Sequence, residues 1–203
     1  MFFETTLWPY NYPKITSLSD KDSDGINDID DIISTARKEV KNKTLYQDGY
    51  FAWGYPPKGQ WVCTDMIWRA LEAAGYKLKD MIDADIAQYP SDYPRVWWTP
   101  EPNIDFRRVP NLNVFFSKYT LSLTNQMIPN NQDNLAQWQA GDIVVFDVPN
   151  QHIAIISDKR DKNGVPMLLH NYSDYAREDN WVFYDDPKYF PIIGHYRVPY
   201  WNL

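Results

Sequence analysis

Apolar positions change their period midway along the chain. In SDKDSDGINDIDDIISTARKEV (19–40) an acidic run leads into Ile29, Ile32, Ile33 and Ala36, three and four residues apart, which predicts an amphipathic helix. A second helix is predicted from Cys63, where Met66, Ile67, Ala70, Leu71 and Ala74 form one stripe and Gly75 stands at the C′ position. LKDMIDADIAQ (78–88) and NLNVFFSKY (111–119) predict two shorter helices. Residues 1–19 read as an extended arm, and 50–62 and 89–111 as Pro- and aromatic-rich loops. From residue 141 onward the pattern turns β-branched and aromatic: GDIVVFDV (141–148), HIAIISDK (152–159), PMLLHNY (166–172), WVFYD (181–185) and IIGHYRV (192–198) predict strands. Helices first and a meander of strands afterwards argue for an α+β domain built on an antiparallel sheet.

Length and composition narrow this picture. The chain has 203 residues, enough for one sizeable core. We divide it into an arm with an acidic loop and helix (1–44) and a main domain (45–203), together one compact unit. Nine Trp, fifteen Tyr and nine Phe supply large buried area or the walls of a cleft. A net charge of −7 with no basic stripe argues against nucleic acid and anionic membrane surfaces as partners. No apolar run is long enough to span a bilayer, and the start lacks the basic and apolar regions of a signal peptide. A monomer is expected.

The chain holds one cysteine, Cys63, and three histidines, His152, His170 and His195, so a search for nucleophile and base is short. Cys63 falls at a helix start, where backbone N–H groups lower a thiol pKa and can hold an oxyanion. The same placement also suits a packed cysteine. His152 opens one predicted strand and His170 closes the next. Pairing 152–159 with 166–172 through the DKNG turn makes the two rings cross-strand neighbours, the relation that a base and its orienting group require. Two hydrogen-bonded structural histidines would show the same pattern. His195, inside IIGHYR, reads as structural.

The series WVCTDMIWRAL, WQAGDIVVF, HIAIISD and LLHNYS resembles the NlpC-type branch of papain-like cysteine peptidases. With NIDFRRVPNL and IIGHYR added, residues 45–198 are similar to an uncharacterised bacterial family within it, labelled a domain of unknown function. The resemblance implies a papain-like fold in which the Cys-bearing helix packs on a five- to six-stranded antiparallel sheet. It implies Cys63 as nucleophile, His152 as base and His170 as the third member, with Asn171 as fallback. No catalytic cofactor is implied. The substrate class would be a peptide or amide, with bacterial cell-wall (peptidoglycan) peptides as the family's suggestion. Val62, Thr64 and Asp65 replace the family's usual Asp–Cys–Ser–Gly surroundings, which bears on the substrate pocket. Tyr55, Trp61, Trp97 and Trp98 are candidate cleft walls; Asp65 either complements the helix dipole or lines the site. Asp142 resembles a structural Gly–Asp turn. An acyltransferase or other amide or ester hydrolase using the same residues, and an inactive binding module, are the alternatives.

DKDSDGINDIDD (20–31) fits a calcium loop by position. Asp20, Asp22 and Asp24 take the first, third and fifth places, Gly25 the sixth, the Ile26 carbonyl the seventh, Asp28 the ninth and Asp31 the twelfth. The loop resembles the single calcium loops of dockerins, and implies a structural Ca²⁺ that staples the arm to the domain. A solvated acidic helix start is the bland alternative. Loop and family resemblance together favour an extracytoplasmic setting.

Overall fold

The computed structural model describes residues 14–96, 99–147 and 149–198. The first helix, α1 (Asp28–Asn42), is N-capped by Asn27, whose side chain accepts from the Asp30 N–H at 3.1 Å. Its apolar stripe of Ile29, Ile32, Ile33 and Ala36 is buried against α2 (Cys63–Ala73). The helices α3 (Leu78–Gln88) and α4 (Val109–Tyr119) complete this layer. Sequence placed the start of α4 at residue 111; Pro110 instead sits in its first turn, a position that suits a residue lacking an N–H. A single-turn helix, α5 (Gln132–Leu135), was too short to show a period.

Among the described residues one sheet of eight strands forms. The long strands are β4 (Ile143–Phe146), β5 (His152–Arg160), β6 (Pro166–Tyr172), β7 (Tyr175–Asp179) and β8 (Ile192–Arg197). Two-residue pairings β1 (Leu45–Tyr46), β2 (Gln60–Trp61) and β3 (Leu121–Ser122) extend both edges, giving the order β2-β1-β7-β6-β5-β4-β8-β3. The expected five- to six-stranded antiparallel sheet is therefore corrected: it has eight strands and is mixed, because β1 and β2 pair in parallel. Segments of two residues carry no readable alternation, which is why they were missed.

Both faces of the sheet are covered. Ile143, Val145, Ile153, Ile155 and Leu169 meet the helices, while Val144, Phe146, Ala154, Ile156 and Leu168 meet Trp138, Val182 and Phe190 on the other side. This explains why β4 and β5 read as continuous apolar runs. The predicted strand over 181–185 is corrected to a turn of 3₁₀ helix at Trp181–Phe183. Val182 and Phe183 both pack against the second cluster, and successive residues of a strand would point to opposite faces. The strand that does follow β6 is β7, joined to it by the tight turn at Ser173–Asp174. No helix among the described residues is long and apolar enough to cross a membrane.

Candidate active site

The turn from β2 into α2 sets Cys63 in place. Val62 is extended (φ −103°, ψ 179°), and its N–H donates to Asp65 Oδ2 at 2.9 Å, satisfying one N–H at the helix start. Asp65 is wholly buried, and Arg107 clamps it through Nε to Oδ1 (2.7 Å) and Nη2 to Oδ2 (2.8 Å). Trp68 Nε1 donates to Oδ1 as well, at 2.9 Å. Arg107 also donates from Nη1 to the Gly49 carbonyl, and Thr64 Oγ1 donates to the Arg107 carbonyl. One ion pair thereby ties the turn that bears Cys63 to the two long loops. Asn171 secures the other side, donating to the Trp61 carbonyl at 2.9 Å.

Cys63 lines a cavity of about 370 Å³ with Tyr46, Asp48, Arg95, Ile104, Arg108 and Gln151 among its walls. Burial pushes the thiol pKa up to about 12; the Ile153 N–H pulls the other way, Asp65 adds to the rise, and the Thr64 and Cys63 N–H groups oppose it. Ile153 directly follows His152, so the sulfur lies at the start of β5. Burial, and then His170, hold the His152 ring well below the ordinary histidine value. The resting pair is therefore a thiol and a neutral imidazole. Among the described residues no hydrogen bond joins the Cys63 sulfur to the His152 ring, and catalytic hydrogen bonds commonly close only when substrate is bound.

His152 Nε2 lies 2.8 Å from His170 Nδ1, a diagonal contact across β5 and β6. His170 Nε2 in turn lies 3.2 Å from Asp179 Oδ1 at the end of β7. A carboxylate accepts, so Nε2 of His170 carries its proton and Nδ1 accepts from His152 Nε2. His152 Nδ1 is left as the lone-pair nitrogen, on a ring that packs on the Phe146 side of the sheet. Phe146 and Tyr172 enclose the ring of His152. Asp179 was not found from sequence, because the strand that bears it, YARED, has no apolar alternation and follows a turn without glycine.

The other sequence-predicted residues separate into distinct places. Asn171 is directed to Trp61, not to His152, so the structure brings His170 and not Asn171 to the His152 ring. Tyr55 is partly exposed and packs edge-on against Trp68 and Phe106, while Trp61 is buried under the Arg69 guanidinium. Asp65 is occupied by its four donors and holds the turn. Trp97 and Trp98 lie outside the described residues. Tyr46, which no motif pointed to, reaches the cavity, and its phenol is pushed up to about 12 by burial and by Cys63 nearby. His195 sits elsewhere, stacked on Trp138 at 3.8 Å and joined to Asp142 Oδ2 at 3.0 Å and to the Thr124 carbonyl. In the acidic loop, one carboxylate oxygen each from Asp20, Asp22 and Asp24 lie within 4.8 Å of one another.

Fold and site together define an α+β protein with a buried cysteine at a helix start and a histidine pair on the neighbouring strands. Residues 33–198 match the family described as Domain of unknown function (DUF1287), and the chain belongs to that family. Uncharacterized protein YijF of Escherichia coli (strain K12) is 32% identical over 174 residues, which cover 82% of this chain and 80% of that relative. No solved structure matches the chain.

Proposed function

We propose that the protein is a papain-like, NlpC-type cysteine hydrolase of peptide or amide bonds. The observation that carries this reading is the 2.8 Å contact between His152 Nε2 and His170 Nδ1, one residue from the backbone N–H that faces Cys63 Sγ. A substrate carbonyl enters the cavity beside Cys63. The sulfur attacks the carbonyl carbon as His152 Nδ1 takes the thiol proton, and His170, held by Asp179, keeps the ring in the tautomer that can accept it. N–H groups at the start of α2 hold the oxyanion. His152 then returns its proton to the departing amine, leaving a thioester. Water, deprotonated by the same ring, attacks that thioester and releases acid and thiol.

Resemblance to the NlpC-type branch directs the substrate choice to bacterial cell-wall peptides. The test is incubation with muropeptides and a panel of short N-acyl peptides, with products read by mass spectrometry. Paired new amine and carboxylate ends are expected, falling by about a thousandfold or more in Cys63→Ala and in His152→Ala. Cleavage that survived Cys63→Ala would overturn the nucleophile; an intact panel would overturn the peptide substrate.

A further inference from the structure

The acidic loop at residues 20–31 takes no part in the hydrolase reading, yet it has one feature that an ordinary solvated helix start lacks. Asp31 is only 7% exposed, and its Oδ2 is buried without a hydrogen-bond partner. A carboxylate oxygen removed from water and left unpaired is costly unless a donor or a cation meets it. The charges around it are those of Asp24, Asp22, Asp28 and Asp20, so the Asp31 carboxyl lies beside the acidic cluster.

Asp20, Asp22 and Asp24 have already gathered their oxygens within 4.8 Å. We propose that this loop is a Ca²⁺ site whose ligands are Asp20, Asp22, Asp24, the Ile26 carbonyl and Asp31, with Asp28 outside the set. Hard oxygen donors in this number, supplied by a loop with Gly25 at φ +93°, suit the large and irregular coordination sphere of Ca²⁺ better than the tight octahedron of Mg²⁺. Asp28 holds the ninth place of the pattern, but its Oδ2 is held outside the loop by Tyr76, whereas Asp20 accepts from the loop's own Asp24 and Gly25 N–H groups. Asp28 Oδ1 accepts from the Lys21 N–H at 2.8 Å, and its Oδ2 accepts from the Tyr76 hydroxyl at 2.5 Å.

That second bond says what the ion is for. Tyr76 and Gly75 follow the C-terminal end of α2, the helix that begins with Cys63. The loop lies close enough that a Cβ on Gly75 would stand 3.0 Å from Lys21 Cγ and 3.1 Å from the Asp22 nitrogen. Calcium therefore orders a loop that rests on the far end of the nucleophile helix. Its effect is on stability and not on the reacting groups.

The experiment uses chelator-stripped whole protein, its fold checked by circular dichroism, and needs no substrate. Calorimetric titration with CaCl₂ is expected to give one site, and thermal melting an increase of about 5–10 °C at a hundredfold excess over Kd. Asp31→Asn should weaken Ca²⁺ binding by about tenfold or more, while Asp30→Asn, an equal charge change on the exposed side of the same turn, should leave it within about twofold. No binding heat and an unchanged Tm in millimolar CaCl₂ would overturn the site. An equal response to MgCl₂ would overturn the choice of ion, and equal loss in the two variants would overturn the ligand set.

Discussion

The Cys63 thiol and the His152 ring are both buried, and burial moves them in opposite senses: the acid up to about 12, the base well below its ordinary value. Each is thereby held neutral, and in the proposed hydrolase a proton would cross between them during attack instead of beforehand. The same displacement ties folding to pH. In the unfolded chain His152 takes up a proton as pH falls through about 6.5, whereas the folded ring stays neutral at that pH. Below about 6.5 the unfolded state binds more protons, so the contribution of His152 is complete above that pH and is lost as pH drops. Urea denaturation between pH 7.5 and 5 should show stability falling towards acid, by at most about 1.4 kcal/mol per pH unit from this one group. His152→Gln should show a shallower fall; an identical slope would mean that the ring is protonated in the folded protein.

At the scale of elements, the turn into α2 depends on a buried ion pair that spans the chain from residue 65 to residue 107. Arg107→Ala would leave Asp65, at 0% side-chain exposure, with Val62 and Trp68 as donors but no cation. Breaking one side of such a pair typically costs about 3–5 kcal/mol. Urea midpoints should fall accordingly, and Asp65→Asn combined with Arg107→Ala should cost less than the two single changes added together. Equal and additive losses would show that the two side chains are not coupled. The long helices were legible because their apolar residues keep one period over eight or more positions, and the β4–β5–β6 meander because its strands read as apolar runs bounded by turn residues. Cys63 and His152 stand out in the sequence because each opens an element, and His170 because it lies near the end of the next strand. Asp179 was hidden with β7, whose polar run is held by charged contacts such as Arg37 to Glu178 at 2.8 Å and not by an apolar face. The Asp65 to Arg107 clamp was hidden for a different reason: a contact between residues 42 positions apart leaves no local pattern.

For the molecule as a whole, the question is where the folded unit begins. The family match starts at residue 33, inside α1. The structure begins its core earlier: Ile29 and Ile32 share the apolar cluster of Cys63, Met66 and Leu71, and Asp28 is bonded to Tyr76. Gly141, at the approach to β4, lies against Ile29, with a Cβ there only 3.3 Å from Ile29 Cγ2, so the first turn of α1 is wedged between the helical layer and the sheet. Removing buried isoleucines costs about 2–5 kcal/mol each, against a total stability of about 5–15 kcal/mol for an ordinary domain. A chain cut to begin at Ile33 would retain Cys63, His152, His170, Asp179 and the cavity walls. It should nevertheless lose cooperative melting or melt at least about 10 °C lower than the full chain, with or without added CaCl₂. Circular dichroism and calorimetry on the two chains decide this. A shortened chain that melted at the full chain's temperature in the absence of calcium would show that α1's first turn and the acidic loop are an appendage to the fold and not its edge.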